Sequence, residues 1–390
     1  MKLKFRIHYL LLLSLVIMLP GRLFSFCEHT EKKKCLKFNE FISYELKDVK
    51  IIDFTLDKDA NQYSLLNKKD KFYINKTDKN HKLIWSKEFK GSAVNIMINS
   101  KNEVIISSYF TGDILLESKK YNSNTKSLAL LKLDNLKGEL KNHLVVSTSY
   151  GVIPIVAKLS GDDIFIAGYY SGKSKFLNNT KKIPYEDGFL LALDENFNKK
   201  WTKTFFRQGF SYISDFKIGN ENIYLMIKFK NNILSHILHL DKKTKLINSV
   251  TIKENNVISF DIDEKENIYL INKKRILKKF NKSLKEIASK DLNEFDFSFS
   301  PLEIIYKNGS LFIQYISVIN YKKNILLSNY DLNLKNIWYY TITGQINIKS
   351  TLKLLNNNLF LIGEFWGNMI FEDKDYFSNK NTSFVLIYDL

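Results

Sequence analysis

The chain has 390 residues, 45% hydrophobic and 14% aromatic, with a formal net charge of +18. That apolar content is ample for a core, the 29 Phe and 21 Tyr suit strands better than helices, and the length fits two or three average domains or one large closed β-structure. Such a charge favours acidic partners (nucleic acid, anionic glycans or anionic lipid), but it is dispersed along the whole chain among abundant Lys, Asn and Ile, which reads as solvated surface, and the N-terminal export signal speaks against nucleic acid.

The N-terminus has the form of an export signal. Lys2, Lys4 and Arg6 form a basic region, Tyr9 to Leu19 is an apolar run too short to span a bilayer comfortably, and Pro20 and Gly21 break it before a cleavage site after Ser25. Residues 1–25 are therefore expected to be a signal peptide, 26–36 a leader and 37–390 the folded domain; an uncleaved segment would instead tether the chain to a membrane. Removing the signal takes away Lys2, Lys4, Arg6 and Arg22 and leaves +14. The only cysteines, Cys27 and Cys35, admit two readings in an extracytoplasmic compartment. They close a small disulfide loop, or Cys27 is the lipidated first residue of a lipoprotein, with Phe26 standing where small residues are usual.

After the leader, Lys37–Leu46 alternates as a lone strand. From Ile51 the chain falls into units of four short strands, A to D. The first is Ile51–Leu56, Gln62–Leu66, Phe72–Thr77 and Leu83–Phe89. The second is Val94–Ile98, Val104–Phe110, Leu128–Leu133 and Glu139–Val146. The third is Ile153–Lys158, Ile164–Tyr170, Phe189–Leu193 and Lys200–Phe205. The fourth is Tyr212–Ile218, Ile223–Phe229, Ser235–Leu240 and Lys245–Ile252. The fifth is Val257–Ile262, Ile268–Ile271, Ile276–Phe280 and Leu284–Leu292. The sixth is Leu302–Tyr306, Leu311–Tyr315, Ile325–Tyr330 and Ile337–Ile342. The seventh has Ile348–Leu355, Leu359–Gly363 and Phe384–Tyr388, and no D strand.

A polar residue closes each C strand: Asp78, Asp134, Asp194, Asp241, Asn281, Asp331 and Asp389. These marks recur at a mean of about 52 residues, in the range of propeller repeats. Asp and Asn suit the C–D turn, since the short side chain bonds its own backbone and tolerates the left-handed region. Trp85, Trp201 and Trp338 follow three of the marks at the same spacing and are expected to pack between units. No segment outside the signal sustains helical periodicity. The chain thus reads as an all-β, seven-bladed propeller of four-stranded antiparallel blades, with the lone strand 37–46 completing the last blade and closing the ring.

A second phrase marks the B strands and their exits: Val104 to Gly112, Ile164 to Gly172 and Leu359 to Gly367, with Phe176 and Phe371 four residues beyond the last Gly of two copies. Together with the hairpin Asp187–Phe205, it resembles the bacterial SBBP-type repeats, clearest in units two, three and seven. The resemblance implies a propeller and export; it brings no catalytic residues. The family usually has Gly in the C–D turn, where this chain has Phe197 and Leu334.

Chemistry is sparse. His236 and His239 stand on opposite faces of a strand without a third ligand, and Asp261-x-Asp263-x-x-x-Asn267 lacks the Gly of a calcium loop and suits an A–B turn better. No phosphate cradle, nucleophile elbow or metalloprotease helix occurs, so no metal, cofactor or catalytic residue is assigned. Scattered carboxylates could still meet in space as a glycosidase pair.

The B–C connections are long in units two (Thr111–Ser127), three (Ser171–Gly188) and seven (Glu364–Ser383), which crowd one sector of one rim in a closed ring. Candidate contact residues there are Tyr169, Tyr170, Lys173, Lys175, Phe365 and Trp366, with the strand-B aromatics equally readable as core. The functional expectation is an exported, non-catalytic binding scaffold for a protein, an anionic glycan or an envelope component. A glycan-acting enzyme and an envelope-assembly scaffold are the alternatives.

Overall fold

In a computed structural model, residues 37–44, 50–116, 119–177, 185–205, 211–229, 235–252, 257–293, 300–319, 322–355, 358–371 and 374–389 are described. The signal, the leader and both cysteines lie outside them. Blade one is β2 (Lys50–Leu56), β3 (Gln62–Lys68), β4 (Lys71–Thr77) and β5 (Leu83–Lys90). Blade two is β6 (Ser92–Ile98), β7 (Val104–Leu116), β8 (Lys119–Leu133) and β9 (Leu140–Val146). Blade three is β10 (Gly151–Ser160), β11 (Asp163–Ser171), β12 (Asp187–Leu193) and β13 (Lys199–Phe205). Blade four is β14 (Ser211–Ile218), β15 (Asn222–Phe229), β16 (Ser235–Asp241) and β17 (Leu246–Ile252). Blade five is β18 (Val257–Ile262), β19 (Ile268–Asn272), β20 (Ile276–Phe280) and β21 (Glu286–Asp291). Blades six and seven share one sheet of β22 (Ser300–Lys307), β23 (Ser310–Ile319), β24 (Lys322–Asp331), β25 (Asn336–Leu355), β26 (Asn358–Phe371), β27 (Lys374–Asp389) and β1 (Lys37–Tyr44).

This is the seven-bladed ring, and its seam is closed as the complementary chain ends imply. β1 pairs antiparallel with β27, from Lys37 opposite Asp389 to Tyr44 opposite Ser383. At the junction of blades six and seven two expected strands are one. The D strand of blade six and the A strand of blade seven are a single strand, β25, because Thr343, Gly344 and Ile346 find pairing partners in Ile370, Met369 and Phe365 of β26. The extended arm of β26 supplies hydrogen bonds that a bare connection lacks.

The turn marks behave as their chemistry requires. Asp78, Asp194, Asn281 and Asp331 each accept the backbone N–H groups two and four residues on. The left-handed residue, however, is not the mark itself but the one three positions later: His81, Phe197, Thr244, Leu284 and Leu334 have φ of 62° to 70°. Phe197, Leu284 and Leu334 are buried, each side chain filling a seam between blades, so packing offsets a strain of about 1–2 kcal/mol. Glycine serves this purpose only at Gly138, where the Trp85 ring of the preceding blade comes within 2.9 Å of a would-be Cβ.

Blades are cross-linked along this edge by a recurrent lysine two residues before the mark. Lys76 Nζ donates to the Asn135 carbonyl at 2.8 Å, Lys132 to that of Glu195 and Lys279 to that of Leu332 at 3.0 Å, in each case on the next blade's C–D turn. Trp85 and Trp338 are buried, and Trp85 Nε1 donates to the same Asn135 carbonyl at 3.1 Å. Trp201 is half-buried, edge-on to Phe165.

Candidate functional site: one rim and a charged axis

The A strands touch their successors around the ring, which places them innermost. Each carries a β-bulge at the same place, after Ile51, Ala93, Pro154, Ile213, Val257 and Pro301 in the first six blades. A bulge re-aims the following side chain. Here it turns several of those side chains toward the next blade. Asp53 accepts the Ile96 N–H at 2.9 Å, Asn95 that of Ala157 at 2.8 Å, Ser259 that of Ile304 at 3.3 Å and Glu303 that of Leu352 at 2.9 Å.

The bulge positions and those two residues on also place charges, Asp215 and Glu303 at the former and Lys158, Lys217 and Asp261 at the latter. Lys158 Nζ lies 2.7 Å from Asp215, and Lys217 bridges Asp215 at 3.5 Å and Asp261 at 3.2 Å. Burial works against each charge. At Asp215 it is outweighed by Lys158 and Lys217, so its pKa is lowered; at Lys217 it is outweighed by Asp215, Asp261 and Glu303, so its pKa is raised. At Lys158 burial prevails and the pKa falls. Glu303 is left with the least compensation. Burial pushes its carboxyl up to about 7 against the Leu352 N–H and the charge of Lys217. An A-strand carboxyl that exchanges a proton near neutrality is chemically able to act as an acid, but its acidic neighbours Asp215 and Asp261 are held as lysine partners.

The B–C rim is built differently in the three units singled out by loop length. In blades two and seven the connection is not a loop but an arm. β7 and β8 continue pairing through Leu116 opposite Lys119, and β26 and β27 through Phe371 opposite Lys374. Alternation along the arms separates two faces. Phe110, Ile114 and Leu116 are buried in the cluster shared with blade one, and Phe365 and Met369 in the cluster shared with blade six. Leu115 is 67% exposed, Phe377 71% and Ile370 44%. In blade three, Leu177 is buried with Phe176 packed against the same core, and Lys199 Nζ donates to the Phe176 carbonyl. Tyr150 and Tyr185, beside this connection, are half exposed at 49% and 52%. Among the described residues, the exposed large apolar side chains on this rim all belong to blades two, three and seven and their connections.

The candidate contact residues divide. Lys173 and Lys175 are exposed on this rim. Tyr169 is half-buried, its ring edge-on to Tyr212 of blade four at 6.4 Å. Tyr170 and Phe365 are 1% and 3% exposed, packed on Phe189 and Phe384, and are core residues that no partner can touch. The Trp366 side chain lies outside what is described. The structure does not draw these residues into one cleft; they belong to blades three and seven, on either side of blades one and two.

Both histidines lie apart. His236 bonds Thr251 at 3.0 Å on the face toward blade three, and His239 stacks on Tyr224 on the face toward blade five. Asp263 caps an A–B turn, accepting from Lys265, Asn267 and the Tyr269 hydroxyl. Among the described residues no group of three or more His, Cys, Asp or Glu is placed to hold a metal.

No family model matches the chain, and no curated protein matches it in sequence. Solved structures do match in shape. BamB from Moraxella catarrhalis aligns at a TM-score of 0.52 and 10% identity over 91% of this chain and 100% of its own. Virginiamycin B lyase from Staphylococcus aureus aligns at 0.55 and 10% identity, over 90% of this chain and 100% of its own. The Dos1 propeller aligns at 0.52 and 10% identity, over 87% and 78%. At such identity the likeness is one of fold alone, and the fold is the β-propeller.

Proposed function

We propose that the protein is an exported, non-catalytic binding scaffold that engages a partner protein through the B–C rim of blades seven, two and three. The supporting observation is the exposure of Phe377 and Leu115 on paired arms, with Tyr150 and Tyr185 between them in chain order and Lys173 and Lys175 alongside. Solvent-facing aromatic and aliphatic side chains on projecting structure are costly to leave wet, and such residues anchor protein interfaces. Export rests on the N-terminal segment, and the likeness of units two, three and seven to SBBP-type repeats points the same way.

A photo-crosslinking residue placed at 377 or 115 in the native host tests this. It should capture one protein species from the extracytoplasmic fraction, and the same residue at 136, on the opposite rim, should not. Equal capture from both rims, or none from 377 and 115, removes the rim from consideration.

The second reading is a glycan-acting enzyme, which Glu303 favours as an A-strand carboxyl that burial pushes up to about 7. Turnover of a glycan that survives Glu303→Gln excludes it in this role.

A further inference from the structure

Six blades have an outermost D strand that ends in charge, in a second pairing or in burial, and one does not. β5 carries Lys87, Glu88 and Lys90; β9 carries Lys141; β13 carries Lys199, Lys200 and Lys203; β21 carries Glu286, Lys290 and Asp291; β1 carries Lys37 and Glu40. The first part of β25 is uncharged, but it is mostly half-buried and runs on into pairing with β26. β17, Leu246-Ile247-Asn248-Ser249-Val250-Thr251-Ile252, has no charge at all and is exposed along most of its length. Among the described residues it pairs with β16 on one side only. Charges, cover and bulges are the usual means by which an edge strand refuses further pairing; among the described residues this edge has neither charge nor cover, and its one bulge, at Ile247, leaves Asn248–Ile252 in regular register.

A groove of about 240 Å³ opens beside it, between blades three and four. Its walls include Phe205, Phe229, Leu238, Leu240 and Leu246, with Lys203 at the side. Leu246 and Ile247 remain 49% and 53% exposed. At the start of the strand, the C–D turn presents Lys242, Lys243 and Lys245, all exposed. Three features therefore meet: a strand edge that carries no further strand among the described residues, with the Ser249 N–H donating to its neighbour Asn248 Oδ1 at 2.8 Å, an apolar trough within side-chain reach of it, and a basic end.

We propose that β17 is a docking edge for an extended acidic segment of a partner protein. The segment adds as a further strand to blade four, sets alternate apolar side chains over the groove and ends in carboxylates against Lys242, Lys243 and Lys245. Main-chain pairing gives such a site its affinity and the trough its specificity. Antiparallel addition places the segment's C-terminal end at the lysines, because β17 begins there. This surface is on the outer wall and is separate from the rim of the proposed function.

The test uses the full chain and a short synthetic peptide of alternating valine and threonine ending in a run of C-terminal glutamates. Amide hydrogen exchange across 246–252 should slow with this peptide and stay unchanged with a matched peptide carrying proline at alternate positions. Ile247→Lys and Ser249→Pro act at the edge. Each should weaken peptide binding by roughly tenfold or more while the melting temperature stays near that of the unaltered chain. A matched peptide lacking the glutamates should also bind less tightly. Absence of protection at 246–252, or equal binding by the Ser249→Pro chain, overturns the proposal. So does equal binding of the glutamate-free peptide. Self-association that Ile247→Lys abolishes, without peptide protection, would make the occupant a second copy and overturn it as well.

Discussion

Lys353 Nζ sits 2.6 Å from Asp53 Oδ1, an ion pair between residues 300 positions apart that joins the last blade to the first. The other carboxylate oxygen of Asp53 accepts the Ile96 N–H of blade two at 2.9 Å. One side chain therefore binds three consecutive blades. Removing it leaves a poorly solvated ammonium and an N–H without a partner. Asp53→Ala should cost about 3 kcal/mol in urea unfolding. Asp53→Asn, which can still accept from Ile96, should cost roughly half as much. Equal losses for the two would place the whole effect in the ion pair.

Asp187 predicts a pH dependence. It is 1% exposed at the start of β12, neither carboxylate oxygen has a hydrogen-bond partner, and burial pushes its pKa to about 6. The folded value lies above the unfolded one of about 3.9, so the fold favours the protonated form. Its contribution is fully present below about pH 4 and is lost as the pH rises through 6. Glu303, raised to about 7, continues the same trend upward. Asp187→Asn should therefore be more stable than the unaltered chain at pH 8 by roughly 2 kcal/mol, with the advantage vanishing near pH 4. Chemical denaturation at the two pH values decides it, and a constant difference would contradict the assignment.

The left-handed turn residues predict opposite signs at two equivalent positions. Phe197, with φ of 67°, is 5% exposed and fills the seam between blades two and three. Phe197→Gly relieves strain but opens a cavity, for a net loss of about 2–3 kcal/mol. Thr244, with φ of 70°, is only half-buried, and Thr244→Gly should be neutral or stabilising by up to about 1 kcal/mol. Melting curves of the two variants compare directly.

The repeat count, the register marks and the closing strand were legible because each follows from local chemistry: Asp or Asn must cap a C–D turn wherever a C strand ends, and a missing D strand calls for a donor. The contact residues were less legible. Both faces of a blade are buried, so alternation in β11 distinguishes the neighbour at blade two from the neighbour at blade four and not core from solvent. Tyr170 and Tyr169 thus look alike in sequence, though one is core and the other reaches Tyr212. The arms were hidden for a related reason. Their strands are polar on one side and short of the usual alternation, so Thr111–Ser127 read as a loop. The bulge-directed bonds of Asp53, Asn95, Ser259 and Glu303 join residues more than forty positions apart, and only the closed ring brings them together.

The rim itself is tested most directly by the affinity of the crosslinked partner, once isolated, for the purified chain and its Phe377→Ala and Leu136→Ala variants. Phe377→Ala should weaken binding by roughly tenfold or more, as loss of an exposed aromatic anchor does, and Leu136→Ala on the opposite rim should leave it unchanged. An unaltered dissociation constant for Phe377→Ala, or an equal loss for Leu136→Ala, would contradict the B–C rim as the binding face.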